Sequence, residues 1–103
     1  MAARFVALYN TPTDPAAFDA HYATTHLPLV KQYPGLRSFT ISKGPVTAPT
    51  GDSPYHLVAE LTFDSMADLQ AAFASPAGKA VARDVRNFGS AGAVMLMFEI
   101  EEP

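Results

Sequence analysis

A proline set inside a helical pattern constrains this chain more than any other feature. Asp14 can cap a helix, and Pro15 falls at its first position, where a missing N–H costs nothing. Phe18, Tyr22, Leu29 and Tyr33, with Thr25 and His26 between them, fall near one stripe at helical spacing. The helix should therefore lay an aromatic face on an apolar layer. Pro28 interrupts it. It cannot donate to the carbonyl of Thr24, its ring crowds that carbonyl, and it disfavours helical dihedrals at Leu27. The pattern predicts a kink or break over Thr25–Leu27, then a short second turn to Tyr33 that Pro34-Gly35 terminates. His26 stands at that discontinuity, towards the aromatic side.

The rest of the chain reads as strands and one further helical region. Arg4–Asn10, Leu36–Lys43, Tyr55–Phe63 and Ala93–Glu101 carry strand patterns, while Gly44–Pro54 holds three Pro and two Gly and reads as a loop. Ser65, with Asp68 three residues on, resembles a capping box and opens a helix with an apolar stripe of Met66, Leu69, Ala72 and Phe73. Ser75–Gly78 interrupts this helix, and Lys79–Asn87 resumes its spacing through Val81 and Val85. The order strand, helix, strand, strand, helix, strand predicts a single α+β domain over residues 1–103. Its four-stranded antiparallel sheet would have both helices on one face. The other sheet face stays apolar. Val94, Leu96, Phe98 and Ile100 alternate with Met95 and Met97, so neither parity is polar. An exposed patch of that extent predicts a homodimer formed through the sheet face.

Composition removes several classes of function. Hydrophobic residues make up 49 % of the chain, which argues for a packed core. The formal charge is −3 and no Lys/Arg cluster occurs, which argues against nucleic acid or an anionic membrane as partner. No apolar run is long enough to span a bilayer, and the first residues read as a strand, not a signal peptide. The absence of Cys removes thiolate ligands and thiol nucleophiles and fits a cytoplasmic setting. Gly89–Gly92 precedes a strand, so it is no phosphate cradle, and no dinucleotide fingerprint occurs. His21 and His26 diverge by roughly 140° on an ideal helix, with no His-Glu-x-x-His spacing. No metal and no cofactor are therefore expected. His21 reads as a surface residue, His56 as a residue at the sheet rim or dimer interface, and Asp84 with Arg86 as helix-end polarity.

His26 is the candidate catalytic residue. An imidazole has an unperturbed pKa of roughly 6.5 and can both take and give a proton. The alternative is a buried histidine that satisfies loose carbonyls at the Pro28 discontinuity. Tyr22 lies four residues earlier on the same face, and Tyr9 ends the first strand within reach of the same space. Either phenol could hold a substrate oxygen, or be a core aromatic with its hydroxyl at water or backbone. Phe18 and Leu29 fit core positions that would wall an apolar pocket if one exists.

The same residues carry a family resemblance. The first strand ending in Tyr9, the run Pro12-x-Asp14-x-x-x-Phe18-x-x-x-Tyr22-x-x-x-His26-x-Pro28-Leu29 and Pro34-Gly35-Leu36 resemble the EthD family, as do Ser75-Pro76, Asp84 and Asn87-Phe88. The resemblance covers nearly the whole chain. It implies ferredoxin-like halves joined in a dimeric α/β barrel, and an oxidoreductase-type label without a substrate. Relatives on this fold include cofactor-free monooxygenases, a muconolactone isomerase, and dehydratases or decarboxylases of aromatic polyketides. Together the expectations describe a small cytoplasmic dimer that binds an apolar, cyclic or aromatic, oxygenated molecule. His26 moves a proton, while Tyr9, Phe18, Tyr22 and Leu29 hold the substrate. The alternative is a ligand-binding or accessory protein without chemistry of its own.

Overall fold

The computed structural model describes residues 1–103. In chain order its elements are β1 (Ala3–Asn10), α1 (Pro15–His21), a π-helical turn (Tyr22–His26), α2 (Leu27–Val30), β2 (Leu36–Ile41), β3 (Thr47–Ala48), β4 (Gly51–Asp52), β5 (Tyr55–Phe63), α3 (Met66–Ala74), α4 (Pro76–Phe88) and β6 (Ala93–Glu99). The main sheet has the order β2-β5-β1-β6 with every neighbour antiparallel, which is the ferredoxin-like arrangement. Central β1 alternates strictly. Ala3, Phe5, Ala7 and Tyr9 are buried under the helices, and Arg4, Val6, Leu8 and Asn10 are only half-buried on the other face. β5 repeats the alternation through Leu57, Ala59, Leu61 and Phe63. The stretch expected as a plain loop carries a two-residue hairpin, β3 with β4.

Local signals behave as their chemistry dictates. Asp14 accepts a hydrogen bond from the Ala17 N–H, and Ser65 accepts one from the Asp68 N–H. The interruption at Ser75 is shorter than expected. Its hydroxyl donates to the Ala72 carbonyl at the end of α3 and accepts from the Gly78 N–H at the start of α4, so one residue closes one helix and opens the next.

Pro28 does not break the first helical region. The chain widens to a π-turn over Tyr22–His26, in which the Leu27 N–H reaches the Tyr22 carbonyl, and α2 follows at once. A π-turn inserts one residue into an α-helix. Every side chain beyond it is rotated back by about 100°. His26 therefore occupies the inward angle where an ideal helix would place Thr25, and Val30 takes the place of Leu29. Thr25 is exposed, Leu29 is half-buried, and His26 and Val30 are buried.

A bulge acts similarly in the sheet. Tyr9 pairs with Leu57 and Asn10 with Tyr55, leaving His56 without a partner on β1. A bulge re-aims the side chain it carries. His56 sits at the sheet rim and faces α1, where it meets the edge of Phe18 at 5.1 Å and Asp19 Oδ1 at 2.7 Å.

β6 is left exposed on both parities. It is an edge strand, Leu96 is 53 % accessible, and Val94, Met95, Met97 and Phe98 are also exposed. No helix of the chain is long and apolar enough to cross a membrane.

The junction of α3 and α4 is the tightest backbone approach. A Cβ on Gly78 would fall on the Ala72 carbonyl oxygen and within 2.7 Å of the Phe73 Cα. Rigid main chain cannot yield as a side chain does. Gly78→Ala is expected to lower stability by about 1–3 kcal/mol, read from the midpoint of urea unfolding. A neutral effect would contradict this packing.

Candidate functional site

Asp84 lies on the inward stripe of α4, between Val81, Val85 and Phe88, and is 6 % exposed. Its carboxylate receives three hydrogen bonds. His21 Nε2 lies 2.9 Å and Asn87 Nδ2 3.1 Å from Oδ1, and His26 Nδ1 lies 2.8 Å from Oδ2. Burial by itself would raise the Asp84 pKa. The bonds from Asn87, His21 and His26 outweigh it and hold the group below its ordinary value. The carboxyl is therefore ionised at neutral pH and can only accept. Both histidines must donate to it, His21 from Nε2 and His26 from Nδ1. These bonds correct two expectations. Asp84 is not helix-end polarity, and His21 is not a surface residue but a half-buried one.

His26 is 2 % exposed. Burial lowers its pKa, and the Asp84 bond and charge only partly restore it. The ring is neutral at pH 7, so Nε2 carries a lone pair. That nitrogen makes no protein hydrogen bond, yet no fully buried side-chain nitrogen or oxygen of the protein lacks a partner. The small accessible surface left to His26 therefore includes Nε2. The Pro28 discontinuity contributes no carbonyl to this ring, whose one protein hydrogen bond goes to Asp84.

Three phenols share the same condition. Tyr9, Tyr22 and Tyr33 are 3 %, 3 % and 7 % exposed, and none of their hydroxyls bonds to protein. Burial raises the pKa of all three, that of Tyr33 to about 12. Tyr9 is raised further by Tyr33 and Asp84, and Tyr22 by Tyr9, so these oxygens lie within electrostatic reach of one another. All three stay protonated at neutral pH and are hydrogen-bond donors. Together with His26 they line a partly open cavity of about 70 Å³, otherwise walled by apolar side chains such as Phe5, Val30, Leu61 and the exposed Met95. Such a volume holds about two waters, whereas a cavity that takes benzene is about 150 Å³.

Phe88 holds the cluster in place. Its ring lies 4.5–5.6 Å from the rings of His26, Phe18, Tyr9, His21 and Tyr22. Phe18 packs behind Tyr9 and Tyr22 and does not line the cavity. Leu29 does not line it either; Val30 stands there by the register change of the π-turn. Tyr22 also forms part of the wall of an open groove of about 620 Å³ between the first helical region and the segment Ile41–Val46. No three His, Asp or Glu side chains converge where a metal ion could be held, since the two histidines approach different oxygens of Asp84.

Of the residues singled out from sequence, His26, Tyr9 and Tyr22 come together on the cavity. Asp84 and Tyr33 join them as site residues that the sequence reading did not select. An acid on an apolar helical stripe was the available signal for Asp84.

The chain matches the family model described as EthD domain over residues 10–91. It is 45 % identical over 98 residues to an uncharacterized 11.0 kDa protein of the thcB-thcC intergenic region of Rhodococcus erythropolis, covering 95 % of this chain and 94 % of that protein. The crystal structure of an ethyl tert-butyl ether degradation (EthD) family protein from Bacillus halodurans C-125 superposes with a TM-score of 0.89 at 35 % identity, over 98 % of this chain and 100 % of that one. SnoaB, a cofactor-independent oxygenase from Streptomyces nogalater, shares the fold with a TM-score of 0.70 at 17 % identity, over 99 % and 95 % of the two chains.

The buried histidine sets a pH dependence. His26 titrates below 6.5 when folded, so between that lower value and 6.5 the unfolded chain binds the extra proton. Stability should be full above about pH 6.5 and fall as the pH drops, by at most about 1.4 kcal/mol per pH unit for one proton. Asp84, also depressed, should add a further loss below its ordinary 3.8. Urea unfolding of wild type and His26→Gln between pH 7.5 and 5 tests this. The variant should lose the slope, and an unchanged slope would assign it elsewhere.

Proposed function

The chain belongs to the EthD family, and we propose that it is a cytoplasmic, homodimeric oxidoreductase or related acid–base enzyme. It acts without a cofactor on an apolar, cyclic or aromatic, oxygenated small molecule. The observation that carries this reading is the cavity's set of open polar atoms. Buried polar groups are normally paired within the protein. Here four side chains that can hydrogen-bond line one otherwise apolar space, and their three hydroxyls and one imidazole nitrogen have no protein partner while keeping some accessible surface, as they would if a ligand supplied the partners.

The roles follow from protonation state. Asp84 fixes the His26 tautomer, so Nε2 is the acceptor that faces the substrate. Nε2 takes a proton from a carbon or hydroxyl adjacent to the substrate oxygen. The charge that develops on that oxygen is met by Tyr9, Tyr22 and Tyr33, whose raised pKa values keep them donors. In the acid–base case the imidazolium, stabilised by Asp84, returns the proton to the anion; in the oxidoreductase case the anion adds dioxygen, its two-electron oxidant, and the imidazolium protonates the peroxide that forms. A site whose own tool is a proton acceptor fits the likeness to a cofactor-independent oxygenase. The alternative, a ligand-binding protein without chemistry, draws on the small cavity, whose volume excludes a ring.

The homodimer reading rests on β6. An edge strand with apolar side chains exposed on both parities invites association. Packing of the open face, where Val6 pairs with Leu96 and Leu8 with Val94, onto a second copy would cover it.

Two tests separate these claims. Thermal-shift screening with small aromatic ketones, quinones and ethers should find ligands that stabilise wild type more than His26→Ala; equal shifts in both would sink the enzyme reading. With a turned-over substrate in hand, His26→Gln should fold and lose roughly 10²–10⁴ in rate. In sedimentation, wild type should run at twice the chain mass and Leu96→Glu as single copies; a wild type that runs as one chain would end the dimer proposal.

A further inference from the structure

The groove beside Tyr22 is nearly ten times the volume of the inner cavity, about 620 against 70 Å³. It lies in the range usual for small-molecule sites, which are mostly apolar with a few placed polar groups. Leu27, Ile41, Val46 and Leu57 supply apolar walls. Its polar lining includes Thr11 and Ser42, each bonded to backbone, and one pair of side chains, His56 with Asp19 at 2.7 Å. A carboxylate only accepts, so His56 donates from Nε2 and its Nδ1 is the free ring nitrogen. The other formal charges of the lining, Lys43 and Asp19, cancel, which favours an uncharged guest. Tyr22 is the one residue common to the linings of both spaces.

We propose that this groove is a second subsite that binds the distal end of an elongated, uncharged apolar molecule and recognises a hydroxyl there through His56. The idea rests on the acid–base reading only for the other end of the molecule. A ring cannot enter the inner cavity as it stands, so the ring lies in the groove while one oxygen function passes Tyr22 towards His26. The substrate class this defines is an aromatic or cyclic body with two oxygen functions at opposite ends. His56 is a specificity residue here; the reacting proton belongs to His26. The bulge that removes His56 from the β1 pairing is what turns it into the groove.

The probes are 4-hydroxyacetophenone and acetophenone, which differ only in the distal hydroxyl. Each is titrated by NMR into wild type, Ala23→Trp, His56→Phe and His26→Gln. Ala23 is exposed on the groove wall, so a tryptophan there fills the groove without entering the core. Wild type should bind the hydroxylated probe about threefold to tenfold more tightly, the worth of one hydrogen bond. His56→Phe should abolish that preference, and Ala23→Trp should weaken both probes at least about tenfold, by the same free-energy scale. In His26→Gln, the shifts at Ile41 and Val46 should persist. Loss of activity there with those shifts retained touches the acid–base reading alone. The groove proposal is overturned if neither probe binds wild type, if Ala23→Trp binds as wild type does, or if only Val30, Val81 and Val85 respond. It is equally overturned if Ala23→Trp changes the number of copies in sedimentation, which would make the groove an interface.

Discussion

One buried carboxylate joins the two halves of the helical layer. Asp84 projects from α4 and accepts from His21 at the end of α1 and from His26 at the end of the π-turn. An ionised group in that position is costly to desolvate, and it is tolerated because three donors meet its two oxygens. The same bonds position the imidazole. Removal of any donor leaves part of a charge uncompensated, so structure and chemistry are coupled through a single side chain.

Around this anion the molecule sorts its polar groups unequally. Asp84 is fully engaged. The phenols of Tyr9, Tyr22 and Tyr33 and the Nε2 of His26 are left open towards a small apolar space. Phe88 enforces the difference, because its ring occupies the volume into which His21, His26 and Tyr22 could otherwise collapse. Rigid aromatic contact thus keeps donors and acceptor apart, and their hydrogen-bonding capacity is not spent within the protein.

Much of this was legible in the residues. The caps at Asp14 and Ser65, the strand patterns and the element order follow from short-range chemistry, and they gave the sheet and its helical cover. The open apolar face was visible as a lack of alternation in β6. What the sequence hid depended on distance or on register. Asp84 is 58 residues from His26, and no local pattern links them, although an acid among Val81, Val85 and Phe88 sits where apolar residues belong. The pocket wall fell to Val30 and not Leu29 because a helical wheel assumes a constant rise and cannot count the extra residue of a wide turn. Tyr33 looked like plain core, since the opening onto the cavity arises only when β1, α2 and α4 come together.

The wide turn has a genetic corollary. Deleting one codon between Tyr22 and His26 would return that stretch to ordinary helical winding while His26 and Val30 kept the inward angles they now hold. A chain one residue shorter would therefore present the same inner face, and only the outward side chains of the turn would differ. Three nucleotides are absorbed here as extra width, without turning the helix.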